Sequence, residues 1–217
     1  MKKAVVFDLD GTLLDTLGDL TVAVNYALAM QGFPTWDDEA IREFVGNGVA
    51  HLIDQAIPAT ASPVEKQQCL KAFKKYYRQN IHGTTCPYPG IVELLAALKA
   101  GGLKTGVVSN KYEEAVRDLC DLFFPDLIDA AAGDREGFRK KPAPDNLYRV
   151  LEQLGVIPEE AVYLGDSDVD VITARNAGTD CIAVLWGFRS RVHLEQAGAE
   201  CLIAHPAELL GVLAQKE

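Results

Sequence analysis

Five short apolar runs punctuate this chain: AVVFDL at 4–9, LKTGVVS at 103–109, DLIDAAA at 126–132, AVYLG at 161–165 and DCIAVLW at 180–186. They are continuous rather than alternating, the pattern of strands buried on both faces. Helix-length segments lie between most of them, at 90–99, 113–122 and 145–154. Gly101 and Gly155 follow two of these segments where a helix C-terminal cap belongs, and Pro144 suits a first turn. Strands alternating with helices of this length predict an α/β fold built on a doubly wound parallel sheet.

The stretch 16–82 breaks that rhythm, with helix signals and no convincing strand. Ser62-Pro63-Val64-Glu65 is a capping box with proline at the first helical position, opening a helix toward Asn80. Thr35-Trp36-Asp37-Asp38 is a weaker version opening one toward Val45. An all-helical segment after the first strand of a parallel sheet is most simply an inserted cap domain. The expected division is a core domain of 1–15 and 83–217 and a cap of 16–82. The insert leaves the carboxyl end of the first strand, where ligands bind in open α/β sheets.

With 217 residues, 48% apolar and 24% charged, the chain suits one sizeable folded domain carrying a smaller insert. Its net charge of −10 argues against generic attraction to nucleic acid or an anionic membrane. Five scattered cysteines, without a C-x-x-C pair, suggest reduced thiols and a cytoplasmic setting. No apolar stretch approaches a membrane span, and no secretory signal pattern is expected at the N-terminus. Oligomeric state is not legible.

Chemistry concentrates at the ends of the apolar runs. Asp8 and Asp10 follow the first, and on an extended strand residues two apart project to the same side. Two carboxylates so close repel each other unless a cation lies between them or one of them reacts. Gly11 then allows a tight turn. Ser109-Asn110 ends the second run, before a helix whose free N–H groups favour an anion. Arg139-Lys140-Lys141-Pro142 follows the third, and LGDSDVD, carrying Gly165, Asp166, Asp168 and Asp170, ends the fourth. Each cluster alone has a plain reading: a turn, a helix cap, a solvated lysine, or acids complementing a helix dipole. Four such clusters on one edge of one sheet instead describe carboxylates holding magnesium beside a phosphoryl group.

Asp8-Leu9-Asp10-Gly11-Thr12, Ser109-Asn110, Lys141-Pro142 and Gly165-Asp166-Ser167-x-x-Asp170 resemble, in order, the four motifs of the haloacid dehalogenase superfamily. The resemblance covers essentially the whole chain. The helical insert is similar to the cap of the phosphoglycolate phosphatase-like branch, and Phe44-Val45-Gly46-Asn47-Gly48 to a loop found there. The resemblance implies a phosphomonoesterase of small phosphorylated metabolites, with Asp8 as nucleophile and Asp10 as general acid and then base. Ser109, Asn110 and Lys141 would bind the phosphoryl group. Magnesium would be held by Asp8, the Asp10 backbone carbonyl and Asp166, with Asp170 in support. Gly46, Asn47 and Gly48 would govern substrate choice.

Two alternatives stay open: a β-phosphoglucomutase-like phosphotransferase, which shares the core motifs, and a receiver-type module that holds phosphate as a signal. The length, the insert and the second acid of the Asp8-Asp10 pair weigh against a receiver. Lys71, Lys74, Lys75 and Arg78 form a basic stripe on one insert helix, read here as a solvated face opposite Leu70, Phe73 and Tyr77.

Overall fold

The computed structural model of the chain describes residues 2–215. In chain order it begins with β1 (Ala4–Phe7), β2 (Leu14–Asp15) and α1 (Leu17–Ala29), then α2 (Asp38–Phe44), α3 (Val49–Ala56) and α4 (Pro63–Gln79). There follow β3 (Cys86–Pro87), α5 (Ile91–Ala100), β4 (Lys104–Tyr112), α6 (Glu113–Phe123), β5 (Ala130–Asp134) and α7 (Asp145–Leu154). The last elements are β6 (Ala161–Gly165), α8 (Asp168–Ala177), β7 (Asp180–Val184), α9 (Arg191–Ala197), β8 (Leu202–Ile203) and α10 (Glu208–Gln215). The chain forms two compact units, Met1–Leu14 with Pro87–Glu217, and Asp15–Cys86.

In the first unit six parallel strands form one sheet in the order β5-β4-β1-β6-β7-β8. β1 is central, with Ala4 opposite both Lys104 and Ala161, and all four of its residues are buried. That position explains why its run is apolar throughout. Ala4, Val6, Val108 and Tyr163 pack with Leu147, Val150, Leu151 and Leu154 of α7 in one buried cluster. Gly106 lets α7 come close, because a Cβ there would overlap the Val150 side chain. The expected α/β parallel sheet is what the chain forms.

Strand ends differ from the sequence reading. The run at 126–132 becomes strand only from Ala130. Asp126 takes a φ of 60° and the Leu127 N–H donates to Phe124 O, so its first half is a turn. β4 runs on to Tyr112, which places Ser109 and Asn110 within a strand rather than at a helix start. β8, α9 and α10 were not foreseen.

The second unit contains α1 to α4. Asp37 caps α2 by accepting from the Ala40 N–H at 2.9 Å. Ser62 and Glu65 form their reciprocal box at α4. Tyr26 and Tyr76 stack between α1 and α4 with ring centroids 4.3 Å apart. Phe73 and Tyr77 are buried and Leu70 is half-buried, while Lys71, Lys74, Lys75 and Arg78 face outward. Asp19 in α1 is buried and accepts from the Thr84 N–H (2.8 Å) and Oγ1 (2.9 Å) and from the Thr85 N–H (3.0 Å) and Oγ1 (2.7 Å). These bonds tie the start of the unit to the segment that ends it. Among the described residues no helix is long and apolar enough to cross a membrane.

Candidate phosphoryl-transfer site

The strand order reverses beside β1: the chain adds β4 and β5 on one side of it, then β6, β7 and β8 on the other. Such a reversal opens a crevice at the carboxyl ends of the flanking strands. Asp8 and Asp166 leave β1 and β6 at that edge. The Asp8 N–H still donates to Leu164 O at 2.8 Å, so its backbone is held by the neighbouring strand. Among the described residues, Asp8, Asp166 and Asp170 each offer a carboxylate oxygen within 4.8 Å of the others, and all three are buried.

The side chains of Asp8 and Asp10 have different neighbours. β1 ends at Phe7, before either acid, and each carboxylate meets its own buried lysine. Lys141 Nζ lies 2.8 Å from Asp8 Oδ1 and 2.7 Å from Asp170 Oδ1, with its side chain 2% exposed. Lys111 Nζ lies 2.7 Å from Asp10 Oδ1, with its side chain 3% exposed. The Asp10 side chain is not a member of the three-carboxylate group.

Asp170 is saturated. Its Oδ1 also accepts from Tyr163 OH at 3.0 Å, and its Oδ2 accepts from the Ser167 N–H at 3.1 Å and Ser167 Oγ at 2.5 Å. Gly165 makes room for it, since a Cβ there would overlap the Asp170 side chain. Asp166 accepts from the Phe188 N–H at 2.7 Å through Oδ2, and Thr12 Oγ1 reaches Oδ1 at 3.5 Å. A Cβ on Gly11 or on Gly187 would strike this carboxylate.

The electrostatics of the cluster are those of surplus negative charge. Burial first, and then the Asp170 carboxylate, push the Asp8 carboxyl well above its usual range, with Lys141 pulling the other way. Burial and Asp170 likewise raise Asp166 to about 7, against the Phe188 N–H and the charges of Lys141 and Arg189. Burial lowers the Lys141 ammonium, but Asp170 and Asp8 outweigh it and hold the group above the usual lysine range. Burial and Asp170 also raise the Tyr163 phenol.

A divalent cation fits this donor set. Three buried carboxylates lie together, and the Lys141 ammonium contacts two of them, Asp8 and Asp170. Among the described residues, no donor meets hydrogen-bond geometry to Asp8 Oδ1, which is buried beside Lys141. All the donors are oxygens, the preference of a hard cation. Asp8 and Asp166 are the members with coordinating capacity, and Asp170 holds Lys141 and the turn at Ser167.

Ser109 is 2% exposed and accepts from the Lys111 N–H at 3.2 Å. Both ends of the Asn110 amide are engaged by the main chain of Lys141, so it braces the lysine loop. Lys140 is 39% exposed at its side chain and pairs with Asp134 at 2.7 Å. Asp168 lies near His193 (3.3 Å) on the surface. Gly46, Asn47 and Gly48 connect α2 to α3 in the other unit, with φ of 122° at Gly46 and 85° at Gly48 and with Asn47 exposed. Sequence reasoning missed Lys111, Tyr163 and the Gly187-Phe188 turn. Strand parity carried a signal for the first, since Lys111 is two residues from Ser109, and a polar tip inside AVYLG carried one for the second.

The family model described as haloacid dehalogenase-like hydrolase matches residues 5–184. A phosphoglycolate phosphatase of Aquifex aeolicus is 33% identical over 215 residues, covering 97% of this chain and 96% of its own. An N-acetylmuramic acid 6-phosphate phosphatase of Pseudomonas aeruginosa is 32% identical over 216 residues, covering 97% and 94%. Among solved structures, a candidate phosphoglycolate phosphatase of Lactobacillus delbrueckii subsp. bulgaricus superposes with a TM-score of 0.93 at 38% identity, covering 98% of this chain and 99% of that one.

Proposed function

The chain belongs to the haloacid dehalogenase-like hydrolase family, and we propose that it is a magnesium-dependent phosphomonoesterase of small phosphorylated metabolites. The observation that carries this reading is the buried group of Asp8, Asp166 and Asp170, two of whose members, Asp8 and Asp170, pair with the buried Lys141.

In the first step an Asp8 carboxylate oxygen bonds to phosphorus as the bond to the leaving oxygen breaks, and Asp10 gives that oxygen a proton. In the second, Asp10 takes a proton from water, whose oxygen bonds to phosphorus and releases Asp8. Dividing hydrolysis in this way replaces one difficult displacement with two easier ones. Lys141 and Ser109 hold the phosphoryl oxygens, and Asn110 fixes the Lys141 backbone. Asp8, Asp166 and the Asp10 carbonyl, supported by Asp170, would hold the magnesium, which would supply charge neutralisation for the phosphoryl group. The polypeptide's own share is position: Phe188 N–H, Gly11 and Gly187 confine Asp166, while Ser167 and Tyr163 confine Asp170.

Within that class, 2-phosphoglycolate is the substrate favoured by the names of most of the relatives. The muramic acid relative, equally similar, acts on a larger phosphosugar by its name. We assign selection to the inserted unit, at Gly46-Asn47-Gly48, whose exposed amide suits a small carboxylate.

Phosphate release from 2-phosphoglycolate, N-acetylmuramic acid 6-phosphate and β-glucose 1-phosphate, each with magnesium, tests the reading. The highest kcat/KM is expected on 2-phosphoglycolate. Isomerisation of β-glucose 1-phosphate without phosphate release would establish the phosphotransferase alternative. A stable phosphoaspartate without turnover would establish the receiver alternative.

A further inference from the structure

We infer that Lys111 is a positioning residue for Asp10, fixing which of its two carboxylate oxygens handles the proton. This rests on the phosphomonoesterase reading above. Lysine is rarely fully buried unless paired, and the Lys111 side chain is 3% exposed with its ammonium 2.7 Å from Asp10 Oδ1. The strand is shaped to deliver it. The register of β4 against β5 shifts between Val108 and Tyr112, an irregularity of the kind that redirects side chains near active sites. The Lys111 N–H is anchored on Ser109 Oγ at 3.2 Å.

Asp10 needs such a partner. It lies beyond the end of β1, in a turn where Gly11 takes a φ of 87° and donates its N–H to Leu14 O. An ammonium on Oδ1 stops the carboxylate from rotating about its own axis and directs Oδ2 to the leaving oxygen. Lys111 and Lys141 thus divide the work: one orients the acid, and the other faces the nucleophile and the phosphoryl group. Positioned acid–base groups commonly contribute about 10²–10⁴-fold, and the share belonging to position is lost when the clamp is removed.

Leaving-group chemistry separates this role from general electrostatics. p-Nitrophenolate departs without much protonation, whereas the alkoxide of 2-phosphoglycolate needs it. In single-turnover release of the leaving group, Lys111→Met is expected to slow 2-phosphoglycolate about 100-fold and p-nitrophenyl phosphate less than about 10-fold, within the range for a general acid. KM should change little on either. In an Asp10→Asn background, adding Lys111→Met should change the rate by less than about 2-fold, because no acid remains to be oriented. That second comparison stands if Lys111→Met alone does not fold, since the double variant removes both charges. Equal losses on the two esters, a KM increase on both, or independent effects in the Asp10→Asn background would overturn the assignment. A wild-type protein that releases phosphate from neither ester would overturn the phosphomonoesterase reading itself, and this inference with it.

Discussion

Asn110 and Lys141 hold each other twice: Asn110 Oδ1 accepts from the Lys141 N–H at 2.8 Å, and Asn110 Nδ2 donates to Lys141 O at 3.1 Å. A residue of β4 thereby fixes the main chain from which the site's central ammonium extends. Asn110→Ala removes both bonds and leaves buried main-chain groups unpaired, at about 1–3 kcal/mol each. The expected result is a melting temperature lower by several degrees and a kcat at least 10-fold lower on the best substrate, read by calorimetry and steady-state kinetics. Unchanged kcat in a folded variant would show that the lysine keeps its place without the brace.

Adjacent lysines should behave very differently. Lys141→Ala strips the ammonium from Asp8 and Asp170, and breaking a buried ion pair costs about 3–5 kcal/mol. Lys140→Ala removes an exposed pair with Asp134, of the kind that contributes about 0–1 kcal/mol. Urea denaturation of the two variants should rank them in that order, and phosphatase kinetics should follow the same ranking.

Asp8→Asn should abolish turnover by more than about 10⁴-fold, the scale for loss of a nucleophile, without loss of fold. Removing one of three buried like charges relieves repulsion, so the metal-free variant should melt at or above the wild-type temperature. Chelator should abolish wild-type activity. Magnesium should raise the wild-type melting temperature, by mass action worth about 2.7 kcal/mol at 100 times Kd. A magnesium response absent from the wild type would remove the metal from the proposed site.

The Asp19 carboxyl gives a pH signature in the inserted unit. Burial by itself raises it, but the four bonds from Thr84 and Thr85 outweigh that and hold it below its ordinary value of 3.8. A carboxyl depressed in the folded state contributes stability that is fully present above its unfolded value and lost as pH falls through its folded one. The melting-temperature gap between wild type and Asp19→Asn should therefore be constant above about pH 5 and shrink below pH 4. A gap that widens toward acid would contradict the assignment.

Much of this was legible beforehand because burial on both faces leaves an unbroken apolar run, and the acids at the ends of such runs stand out against it. The turn at Asp126 was hidden for the same reason. DLIDAAA is apolar enough for a strand, and only the left-handed residue and the Phe124–Leu127 bond show where the strand starts. β8 has two residues, too few for any period. Lys111 stayed hidden because a lysine's ordinary place is the surface, and nothing local announces that an acid 101 positions away will pair with it. β1 stops at Phe7, before both Asp8 and Asp10, so strand parity alone does not set where their side chains lie.

The central position of β1 has a consequence for the order in which a growing chain can become structured. Its first lateral partner, residues 104–107, and its second, residues 161–164, are made long after it. At about 5–20 residues per second, the AVVF segment waits several seconds on the ribosome with neither flank covered. The inserted unit, continuous from Asp15 to Cys86, has all its own sequence before the first of those partners is synthesised. Translation thus gives the helices an opportunity to close well before the sheet that begins the chain can be completed.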